Sequence, residues 1–180
     1  MIVIGVTGKR GSGKDTFARY LKENHGFTVL EFSKDGILPI LVERSLEPTR
    51  ENLIKIAMEA RKEEGNDVFA KILCEKITKG DYCVTGMRFS EELEYMKDRF
   101  GEDFILVSIM CEPKKRYERI TKRGDKGESR ITFEEFLKVE EKVTEKAIDD
   151  IIGSADYFID NNDTLDEFYS NVEAFCRETI

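Results

Sequence analysis

No apolar run in this 180-residue chain reaches the length of a membrane span, and the opening MIVIGVTG lacks the basic start and cleavage site of a secretion signal. The expectation is a cytoplasmic protein with no membrane partner. Cys-x-x-Cys pairs are missing too. Cys74, Cys83, Cys111 and Cys176 are scattered, and Cys83 and Cys111 sit inside apolar runs, which reads as reduced, buried thiols. The single histidine, His25, has no cysteine near it in sequence, which argues against a zinc centre. Standing before Gly26 at a helix end, it reads as a capping or surface residue. Positive charge is in deficit: 37 acidic against 29 basic residues leave a net charge of −8. Such a field repels nucleic acid and anionic membrane, and no stripe of basic and aromatic residues offsets it. No repeat, low-complexity tract or linker divides the chain, so residues 1–180 read as one domain, monomeric or homodimeric, with enough length to bury a core without disulfides or metals.

What is present is an alternation of strands and helices. Residues 1–7 form a short β-branched run, read as a buried strand ended by Gly8. Residues 14–24 place Phe17, Tyr20 and Leu21 on one helical face, and FTVLEF (27–32) is a second strand candidate. In GILPILVERS (36–45), Pro39 must lie in a first turn or break a helix. Thr49 caps a long amphipathic helix with Leu53, Ile56, Ala57 and Ala60 inward, stopping at Gly65, and Asp67 caps the next. YCVTGM (82–87) is a third strand, followed by a helix from Ser90 to Phe100. FILVSIMC (104–111), without polar alternation, is a central strand, and Pro113 starts a helix. GDKGES is a polar loop, and a helix from Thr132 to about Ile152 carries an apolar stripe that core packing explains. DYFIDN is the last strand and a closing helix follows. Five strands alternating with helices imply an α/β fold with a five-stranded parallel sheet covered on both faces.

The sharpest signal is GKRGSGK at 8–14, which meets the spacing G-x-x-x-x-G-K between a strand and a helix. Glycines at 8, 11 and 13 let the backbone turn so that consecutive amides, Ser12's included, point at phosphate oxygens. The helix beginning at Gly13 adds its positive end, Lys14 reaches the β- and γ-phosphates, and Lys9, Arg10 and Lys14 form the local positive cluster that an acidic chain needs.

This stretch resembles the phosphate loop of small P-loop kinases, and its SGKDT ending is similar to that of phage-type deoxynucleoside monophosphate kinases and animal-type phosphomevalonate kinases. Asp15 stands where a hydroxyl commonly ligates Mg²⁺, and Thr16 follows it. The resemblance implies that Thr16 holds phosphate or the metal's water shell. Asp15 either reaches a Mg²⁺-bound water or favours the helix N-terminus electrostatically. A longer span, including NLIKIAMEARKEEG, Gly86-x-Arg88 and ADYFIDNNDTLDEF, looks like archaeal P-loop proteins related to dephospho-CoA kinase and adenylate kinase. That resemblance implies a three-layer P-loop NTPase fold, nucleotide-kinase-like, with a short helical lid at about 119–132.

The acceptor side is carried by VTGMRFSEE. Arg88 lies just past a strand, at the carboxyl edge where ligands bind in open α/β folds. It resembles the D-x-R-F-x-x-E element of deoxynucleotide kinases and the D-G-x-R element of adenylate-kinase relatives, but Thr85 and Gly86 stand where those patterns have an aspartate. Arg88 either holds an acceptor phosphate or pairs with Glu91 or Glu92. By resemblance, Asp35 is a candidate general base or metal-water ligand, with a helix N-cap as the alternative, and Arg61 a candidate acceptor-phosphate ligand or a solvated helix residue. Arg119, Arg123 and Arg130 flank the lid loop: one stacks on adenine and another contacts phosphate, or they pair with Glu118 or Glu128. Asn161 or Asn162 holds the base edge, or forms the turn before the last helix.

The combined expectation is ATP- and Mg²⁺-dependent phosphoryl transfer to a small phosphorylated acceptor. Lys14, Asp35, Arg88 and Arg123 would be catalytic. A nucleoside or deoxynucleoside monophosphate leads over dephospho-CoA, with phosphomevalonate third. The rival is a nucleotide-dependent binding or assembly factor using the loop as a switch.

Overall fold

The computed structural model describes residues 1–123, 131–140 and 143–180, without the side chains of residues 50 and 143–146. Arg130 and the loop at 124–130 therefore lie outside the described residues. Five strands, β1 (Val3–Thr7), β2 (Thr28–Glu31), β3 (Tyr82–Thr85), β4 (Phe104–Met110) and β5 (Tyr157–Asp160), form one sheet in the order β2-β3-β1-β4-β5. Every pairing is parallel. The expected five-stranded parallel sheet is present, and every residue of β1 is buried, as its uninterrupted apolar sequence requires.

Helices cover both faces because alternate strand side chains point opposite ways. Val3, Leu30, Val84 and Leu106 pack beneath α3 (Arg50–Glu64), α4 (Val68–Lys76) and α5 (Ser90–Phe100), with Phe69, Leu73 and Met96 filling that core. Ile4, Val6, Cys83 and Val107 face α1 (Lys14–His25) and α9 (Leu165–Thr179), meeting Phe17, Leu21, Phe168 and Val172. Gly5 has no space for a side chain: a Cβ there would lie 2.6 Å from the Phe104 ring.

Local signals account for most boundaries. Thr49 accepts the Asn52 amide at 3.2 Å and caps α3, and Thr164 caps α9 in a capping box with Glu167. Pro39 sits in the first turn of α2 (Leu38–Glu43), which resolves the ambiguity of GILPILVERS. Asp67 does not cap α4 through its side chain; its carboxylate pairs with Lys71 at 2.8 Å instead. The segment expected as one helix from Thr132 contains α7 (Phe133–Glu140) and α8 (Val143–Gly153), with residues 141–142 outside the described ones. Before α2, Phe32–Ile37 makes a π-helical turn that sequence periodicity does not announce.

His25 closes α1, and its Nε2 lies 3.1 Å from Glu173, which also accepts the Tyr20 hydroxyl at 3.1 Å. That cluster sits at the far end of α1 from the glycine loop. Cys74, Cys83 and Cys176 are buried free thiols; Cys111 is only half-buried, contrary to expectation, because it lies past the end of β4. None of the helices among the described residues is long and apolar enough to cross a membrane.

Candidate active site

All five strands point their carboxyl ends at one edge of the sheet, and there a cleft of about 620 Å³ opens between the glycine loop and the ends of β2 and β3. Its floor is the loop. Gly8, Gly11 and Gly13 have φ of 140°, 77° and 111°, backbone conformations that side-chain-bearing residues rarely adopt. Space is as restrictive as torsion: a Cβ at Gly8 would lie 2.6 Å from the Ile109 carbonyl oxygen, and one at Gly11 would lie 3.0 Å from that of Arg116. Gly13 precedes α1 with no side-chain cap, and Lys14, Asp15 and Thr16 of the first turn line the cleft. Lys14 folds its ammonium back over the loop, donating to the Gly8 carbonyl at 2.7 Å and the Lys9 carbonyl at 3.1 Å.

Around this floor the cleft gathers Arg10, Lys14, Arg88, Arg119 and Arg123 against the carboxylates of Asp15 and Glu31. A chain of net charge −8 has thus built a locally cationic hollow, the condition its composition set for binding a polyphosphate. Two buried hydroxyls at the loop, Thr7 Oγ1 and Ser12 Oγ, have no hydrogen-bond partner among the described residues. Buried polar groups are normally paired, so both are suited to a ligand's oxygens. Asp15, Thr16 and Glu31 offer only hard oxygen donors, which fit Mg²⁺.

The wall opposite the ends of β2 and β3 is braced through α6 (Pro113–Arg123). Its Arg119 donates to the Asn161 carbonyl at 2.9 Å and to the Cys111 sulfur at 3.3 Å. The Asn161 side-chain amide in turn donates to the Ser12 carbonyl at 2.6 Å, clipping the glycine loop to the end of β5. Arg116, which sequence reasoning overlooked, is 3% exposed and donates to the carbonyls of Cys111 and Arg10 at 2.9 and 3.3 Å. It also makes a two-pronged pair with Glu140 of α7, one arm at 2.9 Å. Arg116→Ala should lower stability by about 3–5 kcal/mol in urea unfolding, because it strands a half-shielded carboxylate and two carbonyls.

Comparison with known proteins places this architecture. A family model described as an AAA domain matches residues 4–145. A UPF0200 protein of Thermococcus kodakarensis is 32% identical over 186 residues, spanning 100% of this chain and 98% of its own. The chain belongs to the UPF0200 family and carries that AAA domain. A second UPF0200 protein, from Sulfurisphaera tokodaii, is 32% identical over 181 residues, covering 99% of this chain and 97% of its own. Among solved structures, a gluconokinase from Sinorhizobium meliloti superposes with a TM-score of 0.64 at 14% identity, over 99% of this chain and 93% of that one. A shikimate kinase from Acinetobacter baumannii in complex with shikimate gives 0.59 at 16% identity, over 100% and 96%. At those identities the likeness is one of fold: a three-layer, P-loop kinase-like α/β architecture.

Of the residues expected at the site of this UPF0200 chain, the structure brings Gly8, Arg10, Gly11, Gly13, Lys14, Asp15, Thr16, Arg88, Arg119, Arg123 and Asn161 to one cleft. Ser12 lies just beneath, buried. Two expected residues are elsewhere. Asp35 does not line the cleft and is not an N-cap. It lies inside the π-helical turn, whose N-cap position is Glu31, and its carboxylate reaches back to accept the Glu31 amide at 2.8 Å. Arg61 is neither a solvated helix residue nor a cleft residue. It pairs with the fully buried Glu92 at 2.8 Å and lies between the Phe69 and Phe89 rings, 4.8 and 4.6 Å from their centroids. Asn162 is used up at the start of α6, accepting the Glu112 amide at 2.8 Å.

The acid that sequence reasoning missed is Glu31. It ends β2 in register with Thr85 of β3, and both line the cleft. A carboxylate therefore stands one strand away from where the related patterns carry their aspartate. The signal was present in FTVLEF, whose glutamate is the last strand residue, but strand alternation alone does not say which edge carries a ligand.

Proposed function

We propose that this chain is an ATP- and Mg²⁺-dependent phosphotransferase acting on a small phosphorylated acceptor, a nucleoside or deoxynucleoside monophosphate foremost. The observation that supports it best is that a phosphate-type loop and an acceptor-type end, Arg88 with Glu31, share one cleft. Transfer of a phosphoryl group asks mainly for positioning and charge stabilisation, which glycines, one lysine and convergent arginines supply.

In this reading the loop amides and Lys14 hold the donor's phosphates, while Arg119 and Asn161 border its base. Arg88 takes the acceptor's anionic group. Where the attacking group is a hydroxyl, as in dephospho-CoA, Glu31 accepts its proton, the task first considered for Asp35. A monophosphate oxygen is already ionised at neutral pH, and with that acceptor Glu31 serves to orient the Mg²⁺ water shell instead. Arg123, at the last turn of α6, offsets charge on the group in transit. Mg²⁺, held by Thr16 with Asp15 or Glu31, would neutralise charge on the donor's phosphate oxygens when bound.

One observation favours the switch reading instead: the end of β3 carries no aspartate, Thr85 and Gly86 standing where the two related kinase patterns have theirs. Glu31 beside it is the answer of the enzyme reading. The two separate in an ADP-release assay with ATP, Mg²⁺ and a panel of nucleoside and deoxynucleoside monophosphates, dephospho-CoA, phosphomevalonate and shikimate, the ligand of one structural neighbour. The enzyme reading expects at least one acceptor to raise ADP release well above the acceptor-free rate. Uniform acceptor-free rates across the panel would favour the switch.

A further inference from the structure

We propose that the buried Arg61–Glu92 pair is a positioning device that fixes the backbone at Arg88 for the acceptor; this rests on the phosphotransferase reading of the same cleft. Glu92 of α5 is completely buried, and its two oxygens do different things. One accepts the Arg88 amide at 2.6 Å and the Phe89 amide at 3.2 Å; the other accepts the Arg61 guanidinium at 2.8 Å. Arg61 comes from α3 and is held between Phe69 of α4 and Phe89. One carboxylate thus joins three helices to the two residues that follow Met87 at the carboxyl edge of β3. Arg88 lines the cleft while its own main chain is clamped from behind.

Helix capping explains only part of this. Glu92 stands at the third position of α5 and accepts the amide of Phe89, the N-cap residue, which is the carboxylate half of a capping box. The Phe89 side chain has no acceptor to make the other half. Glutamine serves a capping box as well as glutamate, and no capping box needs a buried arginine behind it. Nor is stability a sufficient reason, since burying an ion pair costs desolvation that a well-packed apolar pair avoids. What the charged pair adds is a carboxylate held in one place by a guanidinium that cannot swing, stacked as it is between two rings. An arginine that must meet a small anion within a few tenths of an ångström gains from such a fixed base.

The test compares wild type with Glu92→Gln, Arg61→Met, the double variant and Arg88→Ala. Kinetics would be read separately for donor and acceptor, alongside amide hydrogen exchange at Arg88 and Phe89. We expect Arg61→Met and the double variant to speed exchange at those two amides and to reduce acceptor kcat/KM about tenfold or more, with donor KM unchanged. The double variant, with no stranded buried charge, should regain thermal stability over Arg61→Met yet keep the acceptor defect. Unchanged exchange in both Arg61 variants overturns the proposal. So does a double variant that regains acceptor kinetics together with stability, or donor and acceptor terms that fall in equal measure. If Arg88→Ala leaves acceptor kinetics untouched, or wild type shows no acceptor-dependent turnover, the underlying cleft assignment fails instead, and the exchange measurement alone decides whether the pair fixes this backbone.

Discussion

Lys14→Ala should weaken ATP binding about 10- to 100-fold and lower turnover by about 10³, with the fold intact. The binding loss follows from removing a cation that sits over the loop, 2.7 Å from the Gly8 carbonyl and 3.1 Å from that of Lys9. A charge-assisted hydrogen bond contributes about 1.5–3 kcal/mol where a neutral one contributes about 1. The larger turnover loss follows from differential binding: charge on the bridging oxygens grows as the phosphoryl group leaves, so a cation fixed there gains strength in the transition state. The fold should survive because Lys14 is at the open mouth of α1, and the apolar residues anchoring that helix, Phe17, Ala18 and Leu21, are untouched. Calorimetry with ATP and Mg²⁺ measures the first effect and single-turnover kinetics the second. Unchanged ATP affinity would remove the donor-site assignment.

With a hydroxyl acceptor, Glu31→Gln should lower kcat by about 10² to 10⁴ while donor affinity stays within about twofold, the pattern of a lost general base. Glutamine keeps the size and the hydrogen-bonding reach but cannot take the proton. The more telling variant adds Thr85→Asp. Glu31 and Thr85 are paired in register on adjacent strands, about 4.8 Å apart, and both open into the cleft. If the chain has moved its acid from the end of β3 to the end of β2, a carboxylate restored at residue 85 should recover part of the lost rate. Full activity in Glu31→Gln would take the base role away from this residue. Loss without any recovery in the double variant would mean that Glu31 acts from its own position alone.

Much of the fold was legible because strand and helix periods differ and because end signals were strong. The run at 104–111 could only be a strand buried on both faces, and α5 spans Ser90–Phe100 as its apolar spacing and following Gly101 require. The glycine loop and its place at the mouth of the cleft were legible because three things coincided: glycine spacing, a lysine, and a strand-to-helix context. Asp35 and Arg61 were misplaced for one shared reason. Sequence places a charged residue near a site, but whether it faces the cleft depends on partners far along the chain. Arg61 meets a glutamate 31 residues away, and no local pattern reveals that pairing. Asp35 is drawn to the Glu31 amide by a π-helical turn, which has no period for sequence to display. Arg116 was hidden likewise: among the basic residues of PKKRYERITKR it looks solvated, yet its neighbours bury it against the back of the loop.

The central claim is that main-chain amides at the start of α1 grip a polyphosphate, and a crystal structure of the protein grown with ADP and Mg²⁺ tests it most directly. The account predicts the diphosphate seated on the amides of residues 11–16, with Lys14 turned from the Gly8 carbonyl to a phosphate oxygen and the base near Arg119 and Asn161. Nucleotide bound away from that loop, or no binding at saturating concentration, would contradict it.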